Sequence, residues 1–286
     1  MITFERYLHE HRHSVQTIKS YLYTVSVFLN ANPNAENYKY KDIIEYMSKM
    51  SRQYPNTYTS SSILAGIKKY YDYLIEMGKR DFHPCRTLYL KSKRGKDIIH
   101  QDLFTSQDLE QLLTRKERYK GIKLKNQTIM SLLVFQGLTT GEIMGLRVQH
   151  VNLDNGTIYL KGSRRLSSRH LEIHPKQFNL LYRCVNEIER IGTDALLIGK
   201  SGKPITVDDV HHIVHTCKSF FPDRKLDTKT IRQSVIANWL NEKHLPLEQV
   251  QLMAGHKWIS STERYKQTNM NEQRELMNKW HPLGKI

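Results

Sequence analysis

The strongest constraint on the fold is a helix end, a turn and a new helix start, all within residues 252–265. Pro246 is typical of the first turn of a helix, and Gly255 is typical of the residue that follows a helix end. Ser260 and Glu263 have the spacing of a capping box, in which side chain and backbone satisfy each other at a helix start. The segment therefore predicts one helix that ends at Gly255 and a second that begins at Ser260.

Two chemically active side chains occupy fixed places in this pattern. Tyr265 is predicted about one turn into the second helix, and His256 lies at the turn behind it. A Gly-His pair with a tyrosine nine residues after the histidine resembles the C-terminal signature of the tyrosine recombinases, the phage-integrase family. Residues 230–240, which contain Arg232, resemble the arginine-bearing helix of that family and lie the expected distance upstream.

The charge balance favours a nucleic acid as the partner. The chain has 286 residues, enough for two modest domains, and its 44 Lys and Arg against 28 Asp and Glu give a net charge of +16. A positive field of that size favours an anionic partner, and each DNA phosphate that is neutralised releases counterions. An acidic membrane surface is the alternative, but the basic residues are spread along the chain instead of forming one amphipathic helix.

Nothing in the sequence predicts a membrane or secreted protein. The most apolar run, residues 129–138, is far shorter than the roughly 20 residues of a membrane span. The first residues lack the apolar core of a signal peptide. Cys85, Cys184 and Cys217 form an odd, scattered set, which predicts buried reduced thiols. We therefore expect a cytoplasmic protein that associates with the nucleoid when it binds DNA.

The predicted fold is mainly α-helical with a small antiparallel β-sheet, in two domains. Residues 1–88 carry apolar positions at helical spacing and resemble the family's helical core-binding domain. Residues 89–102 form a basic linker, and residues 103–286 resemble the catalytic domain. A C-terminal helix over residues 271–280 is predicted to dock either on a neighbouring protomer or on its own domain. In the resembled architecture the two domains close around duplex DNA as a clamp.

Basic residues at three places are predicted to contact DNA phosphates. In the N-terminal domain they lie off the apolar helix stripes, where a solvated charged face is the alternative. In the linker they would cross the duplex near its backbone, and a flexible basic spacer is the alternative. The third group lies in the turn of a hairpin in the catalytic domain. The residues are Lys19, Lys68 and Lys69, then Lys91, Lys93, Arg94 and Lys96, and then Arg164 and Arg165.

That hairpin belongs to a predicted sheet of three short strands, over residues 151–153, 157–161 and 169–173. The Asp-Asn-Gly sequence between the first two strands is typical of a tight turn. Lys161, at the end of the second strand, resembles the family's hairpin lysine that reaches the cleavage site. An ordinary strand-end lysine is the alternative.

Residues 137–147 resemble the first catalytic box of the family, in which a Gly-Leu pair precedes an essential arginine and an acidic residue follows three positions later. Glu142 fits the acidic position, whereas Thr139 stands where the arginine belongs. A hydroxyl cannot replace a charged, two-pronged donor. Either a hairpin arginine enters the site, or the enzyme is slow and needs an activating partner, or the protein binds DNA without cutting it. The candidate hairpin arginines are Arg164, Arg165 and Arg169.

The resemblance implies phosphoryl transfer without a metal or any other cofactor. Tyr265 is the implied nucleophile on a DNA phosphodiester, which would leave a 3′-phosphotyrosyl link and a free 5′-hydroxyl. Arg232 and His256 are the implied donors to the phosphate oxygens. Lys161 is the implied general acid for the leaving oxygen.

Other polar residues in this half of the chain have weaker assignments. Lys229 and Gln233 lie at positions of the arginine-bearing helix where the family frequently has histidine. Lysine also donates protons and binds phosphate, so Lys229 is a predicted catalytic residue and Gln233 a minor departure. His211 and His215 have a spacing that can hold a metal, but only Cys217 is near as a third ligand, and no metal site is predicted.

The predicted function is site-specific DNA recombination that integrates or excises a mobile element. The predicted partners are double-stranded DNA recognition sites and sister protomers, as a tetramer on DNA, with accessory recombination proteins as a further option. Two alternatives stay open. One is a weakly active or inactive DNA-binding accessory protein of the same fold, and the other is a type IB topoisomerase, which shares the chemistry but works as a monomer.

Overall fold

The computed structural model describes residues 2–90, 102–199 and 201–266. The chain divides into two compact units, Met1–Lys96 and Asp97–Ile286. The basic linker residues from 91 onward and the predicted C-terminal helix lie outside the described residues. No helix in the described ranges is long and apolar enough to cross a lipid bilayer.

The N-terminal unit consists of helices around a core rich in aromatic side chains. Its helices are α1 (Phe4–Glu10), α2 (Val15–Ala31), α3 (Tyr40–Gln53) and α4 (Thr57–Glu76). Ser14 caps α2 by accepting a hydrogen bond from the backbone N–H of Thr17. The buried hydroxyl of Tyr71 donates to the carbonyl of Ala35 at 2.7 Å, so a polar group inside this core keeps a partner.

Helices also dominate the C-terminal unit, where they pack with the sheet around one hydrophobic core. They are α5 (Ser106–Gln111), α6 (Lys120–Gln136), α7 (Thr140–Gly145), α8 (Pro175–Asn186), α9 (Val207–His215), α10 (Thr228–Asn241), α11 (Leu247–Ala254) and α12 (Ile259–Glu263). Leu132, Ile158 and Ile231 bring α6, the sheet and α10 into the same core. α6 begins at Lys120, and its first turns are lysine-rich and carry a weak apolar pattern.

The sheet has three antiparallel strands in the order β1 (Val151–Asn152), β2 (Thr157–Leu160) and β3 (Arg169–Glu172). Ile158 on β2 lies opposite Val151 on β1 and Leu171 on β3, and all three side chains are buried. The three predicted strands are confirmed with slightly shorter ends. Together with the surrounding helices they confirm the predicted fold class, a mainly helical chain with a small antiparallel sheet.

The predicted capping box at Ser260 is wrong. α12 begins one residue earlier, after extended Trp258, and has no side-chain cap, so Ser260 lies inside the helix. α12 also ends at Glu263, which places Tyr265 just beyond the helix instead of one turn into it. The physical reason is a contact outside the capping signal, because the buried Thr262 side chain bonds to His256 and holds this short helix against the preceding turn.

Candidate active site

Arg232 lies between two helix ends. Asp227 caps α10 by accepting from the backbone N–H of Thr230 at 2.7 Å, and Arg232 follows in the next turn. Its Nη1 donates to the carbonyl of Gly137 and its Nη2 to the carbonyl of Ala254, both at 2.6 Å. These carbonyls end α6 and α11, so the guanidinium meets the negative ends of two helix dipoles. The side chain is only 11% exposed, and its position is therefore fixed by packing as well as by charge.

The carboxylate of Glu142 connects the charged groups of the site. Its Oε2 accepts from the backbone N–H and the hydroxyl of Thr139, each at 2.9 Å, in the capping box that opens α7. Its Oε1 accepts from Nη1 of Arg169 at 2.6 Å, and its Oε2 lies 3.8 Å from Nη1 of Arg232. Burial raises the pKa of Glu142, but Arg169, the Thr139 N–H and Arg232 outweigh burial and hold it below its usual value. The carboxylate is therefore charged at neutral pH.

Arg169 is buried beside this carboxylate, whereas Arg164 and Arg165 are exposed in the hairpin turn. Nε of Arg169 donates to the carbonyl of Met253 at 2.7 Å, while Nη1 holds the carboxylate described above. Its Nη2 is buried and has no hydrogen-bond partner within residues 2–90, 102–199 and 201–266. Gly255 makes this placement possible, because a Cβ at that position would collide with the guanidinium.

His256 stacks against Tyr265 next to the two arginines. The ring centroids are 6.1 Å apart with an interplanar angle of 18°. Nδ1 of His256 and Oγ1 of Thr262 share a hydrogen bond of 2.8 Å, which fixes the orientation of the imidazole. Burial first, and then the positive charges of Arg232 and Arg169, lower the pKa of His256 to about 4. The imidazole is therefore neutral at pH 7.

The phenol of Tyr265 is protonated at rest but has stabilising neighbours for its charged form. Burial raises its pKa, while the charge of Arg232, a side-chain hydrogen bond with Gln233 and the charge of Arg264 act in the opposite direction. The backbone carbonyl of Tyr265 accepts from the side chain of Asn241 at 3.0 Å, which attaches the segment after α12 to α10. Gln233, which by sequence is a minor departure from the family pattern, thus contacts the predicted nucleophile.

Lys161 directly follows β2 and lines an open cleft of about 320 Å³ together with Thr139, Glu142 and Ser163. The hairpin turn that follows Lys161 is attached to the site, since the backbone N–H of Ser167 donates to the carbonyl just before His256 at 2.9 Å. The structure thus brings the predicted general acid to the same cleft as the Glu142 carboxylate.

The remaining predicted site residues lie outside this cluster. Lys229 is exposed in the first turn of α10, and its catalytic role stays a prediction. His211 and His215 are exposed on α9, whereas Cys217 is buried in the core. Within the described ranges no group of three or more His, Cys, Asp or Glu side chains is arranged to hold a metal ion.

Two of the three predicted phosphate contacts of the N-terminal unit have protein partners. Lys19 is exposed on α2. Nζ of Lys68 donates to the carbonyl of Arg86 at 2.9 Å, and Nζ of Lys69 pairs with Asp72 at the same distance. These contacts leave fewer free N–H groups for DNA, whose binding here stays a prediction. The linker residues Lys91, Lys93, Arg94 and Lys96 lie outside the described residues.

Comparison with known proteins assigns both halves of the chain to one kind of protein. The sequence model of the Phage integrase family matches residues 102–272, and that of the phage integrase N-terminal SAM-like domain matches residues 1–78. The tyrosine recombinase XerC of Staphylococcus carnosus (strain TM300) is 22% identical, with 100% of this chain and 96% of the relative covered. A tyrosine recombinase of Agathobacter rectalis is 26% identical, with 93% and 90% covered.

Solved structures share the fold. The XerH site-specific recombinase bound to a difH substrate, in a pre-cleavage complex, has a TM-score of 0.72 at 17% identity, with 92% of this chain and 80% of that chain covered. The Tn1549 transposon integrase in complex with transposon right end DNA has a TM-score of 0.69 at 14% identity, with 96% and 98% covered.

Proposed function

Because this chain belongs to the phage integrase family of tyrosine recombinases, we propose that it cuts and rejoins DNA through a 3′-phosphotyrosyl intermediate, integrating or excising a mobile element. The observation that best supports the proposal is that Arg232, His256 and Tyr265 converge. The His256 and Tyr265 rings stack, and the charge of Arg232 acts on both: it helps to lower the pKa of His256 and opposes the rise that burial causes in the pKa of Tyr265. A cation, a neutral imidazole and a phenol in one place are suited to phosphoryl transfer to tyrosine.

The proposed reaction needs no cofactor. The Tyr265 hydroxyl loses its proton to solvent as its oxygen attacks the scissile phosphorus. The bond from phosphorus to the 5′-oxygen breaks, and that oxygen takes a proton from Lys161, which lines the adjoining cleft. The phosphotyrosyl bond keeps the energy of the broken phosphodiester, so attack by another 5′-hydroxyl restores DNA without ATP.

Arg232 has donors left for the phosphate. A guanidinium carries five N–H groups, and Arg232 uses one on each Nη for the carbonyls of Gly137 and Ala254. The N–H groups outside these two hydrogen bonds are proposed to donate to phosphate oxygens, whose charge grows in the transition state. His256 is proposed to donate to a phosphate oxygen with the ring orientation that Thr262 fixes.

The proposed partners are paired duplex DNA sites and further copies of this chain, as a tetramer on DNA in the cytoplasm. The net charge of +16 supports binding to DNA. The similar XerH and Tn1549 proteins are each seen with DNA, and the second of them with transposon right end DNA. Accessory recombination proteins are a further proposed partner.

The test is a covalent adduct on a suicide substrate. A recognition site is first selected from a randomised duplex library by binding to the full chain, and is then synthesised with a nick beside each candidate scissile bond. The wild-type chain should form an adduct that resists denaturation, and Tyr265→Phe should form none. Tyr182→Phe is the matched control, because Tyr182 is half exposed on α8 and should leave the yield unchanged.

Other results would support the rival functions. Tight, specific binding without any adduct would indicate a DNA-binding accessory protein. Relaxation of supercoiled plasmids by a monomer at nearly any sequence would indicate a topoisomerase. An adduct of unchanged yield in Tyr265→Phe would exclude Tyr265 as the nucleophile.

A further inference from the structure

We infer that Arg169 supplies a second charged donor to the scissile phosphate, in the role for which position 139 has no arginine. The inference rests on the proposed function, since it concerns the same phosphate. Arg169 lies outside the segments that resemble the family's catalytic boxes. The inference therefore gives it a catalytic role that the resemblance does not imply. Four observations carry it.

The first observation is the unused donor of Arg169. Its side chain is only 6% exposed, yet its Nη2 has no hydrogen-bond partner in the described part of the chain. Nε and Nη1 bind the carbonyl of Met253 and the carboxylate of Glu142, which hold the guanidinium in one orientation. A buried N–H without an acceptor is unfavourable, and more so when the group is charged. Such a donor is suited to a ligand oxygen that arrives with the substrate.

The second observation is where Arg169 lies relative to Arg232. Nε of Arg169 binds the carbonyl of Met253, and Nη2 of Arg232 binds the carbonyl of the next residue, Ala254. Both arginines also approach the carboxylate of Glu142, one at each oxygen. Contacts with adjacent carbonyls and one carboxylate place the two guanidiniums side by side. A phosphate that reaches Arg232 therefore lies within reach of Arg169.

The third observation is the charge of the cluster. Among residues 2–90, 102–199 and 201–266, Arg169 and Arg232 share one carboxylate, that of Glu142, and the neighbouring imidazole of His256 is neutral. The cluster therefore carries an excess positive charge in a buried place. A phosphodiester brings one negative charge, which balances that excess.

The fourth observation concerns the other candidates for this role. The hydroxyl of Thr139 donates to Glu142, so its single proton is already in use. Arg164 and Arg165 are exposed in the hairpin turn, away from the buried carboxylate that Arg169 contacts. Arg169 is thus the hairpin arginine that the fold positions for this role, and Thr139 acts as a helix cap.

The experiment compares single-turnover cleavage of two suicide substrates that differ at the scissile position. One carries the natural phosphate, and the other carries a methylphosphonate, in which a methyl group replaces one charged oxygen. The chains are wild type, Arg169→Ala and the double variant Thr139→Arg with Arg169→Ala. The control is Arg183→Ala, which removes an exposed arginine on α8 that pairs with Glu187. Binding to uncleaved DNA and the melting temperature are measured for each chain.

On the phosphate, Arg169→Ala should cleave about a hundredfold or more slowly than wild type, because one donor to a growing charge is lost. On the methylphosphonate, the ratio of the wild-type rate to the Arg169→Ala rate should fall below about tenfold, because the charged oxygen that the cation stabilises is gone. The double variant should regain at least about tenfold over Arg169→Ala on the phosphate, since an arginine at 139 starts beside the same carboxylate. The control should cleave at the wild-type rate on both substrates.

An equal ratio on the two substrates would overturn the inference, since a purely structural role does not depend on the phosphate charge. If Arg169→Ala fails to fold, the double variant decides the question. Cleavage by the double variant supports the shared role, and a folded double variant that binds but does not cleave overturns it. Absence of any adduct with wild type would instead refute the proposed function, and the inference with it.

Discussion

Replacing Glu142 by glutamine should destabilise the C-terminal unit strongly. The carboxylate is 7% exposed and holds Arg169, which is 6% exposed, at 2.6 Å. Glutamine keeps the shape but removes the charge, and its amide has one acceptor and one donor end. One end must face the Thr139 N–H and the other must face Nη1 of Arg169, which are both donors. Either orientation of the amide therefore sets donor against donor.

The expected loss follows from burial. Removing one partner of a buried ion pair costs about 3–5 kcal/mol, because the other charge stays buried without compensation. With a urea dependence of about 2 kcal/mol per molar, the unfolding midpoint should fall by about 2 M. Glu110→Gln is the control, since Glu110 is 50% exposed and pairs with Lys176, and such a pair contributes less than about 1 kcal/mol.

Tryptophan fluorescence measures the unfolding of the C-terminal unit, which contains Glu142. The three tryptophans, Trp239, Trp258 and Trp280, all belong to the unit Asp97–Ile286, so urea titration of the full chain follows that unit alone. Equal midpoints for Glu142→Gln and Glu110→Gln would refute the view that Glu142 holds two buried arginines in place.

The pH dependence provides a second check of the same reasoning. Because the pKa of Glu142 is lower in the folded chain than in the unfolded chain, its stabilising contribution is complete above the unfolded value. That contribution is lost as the pH falls through the folded value. The gap in stability between wild type and Glu142→Gln should therefore shrink in acid.

Two further predictions concern protonation and DNA binding. The folded pKa of His256, about 4, lies below its unfolded value of 6.5, so protonation destabilises the fold as pH falls through this window, by up to about 3 kcal/mol. His256→Gln should lose that part of the slope when urea midpoints are measured from pH 4 to pH 7, and an unchanged slope would contradict the assignment. Neutralising Lys91, Lys93, Arg94 and Lys96 together should lower the slope of log affinity against log salt by about 3 to 4. If gel-shift titrations show the same slope, the linker does not touch phosphate.

Much of the local structure could be predicted from the sequence. Thr105 and Thr206 open their helices with capping boxes whose acidic partners stand three residues later in the sequence, and Gly255 ends α11 with the expected left-handed backbone, at φ 72°. The three strands could be predicted because their apolar residues alternate with polar ones. That alternation also held a signal for Arg169, since it places this arginine on the same buried face of β3 as Leu171. An arginine on a core face indicates a buried ionic partner, but not which one.

Which charges meet was decided by the tertiary structure. Arg169 and Glu142 are 27 residues apart, and Arg232 reaches a carbonyl 95 residues away. The start of α12 was mispredicted for a more local reason, because Thr262 bonds to His256 and this contact overrides the capping signal of Ser260. A cap is fixed by helix geometry, since its partners lie three residues apart in the chain. A buried charge instead pairs with whichever opposite charge the packing brings within reach, so the sequence alone predicted the candidate site residues and the fold decided which arginines share Glu142.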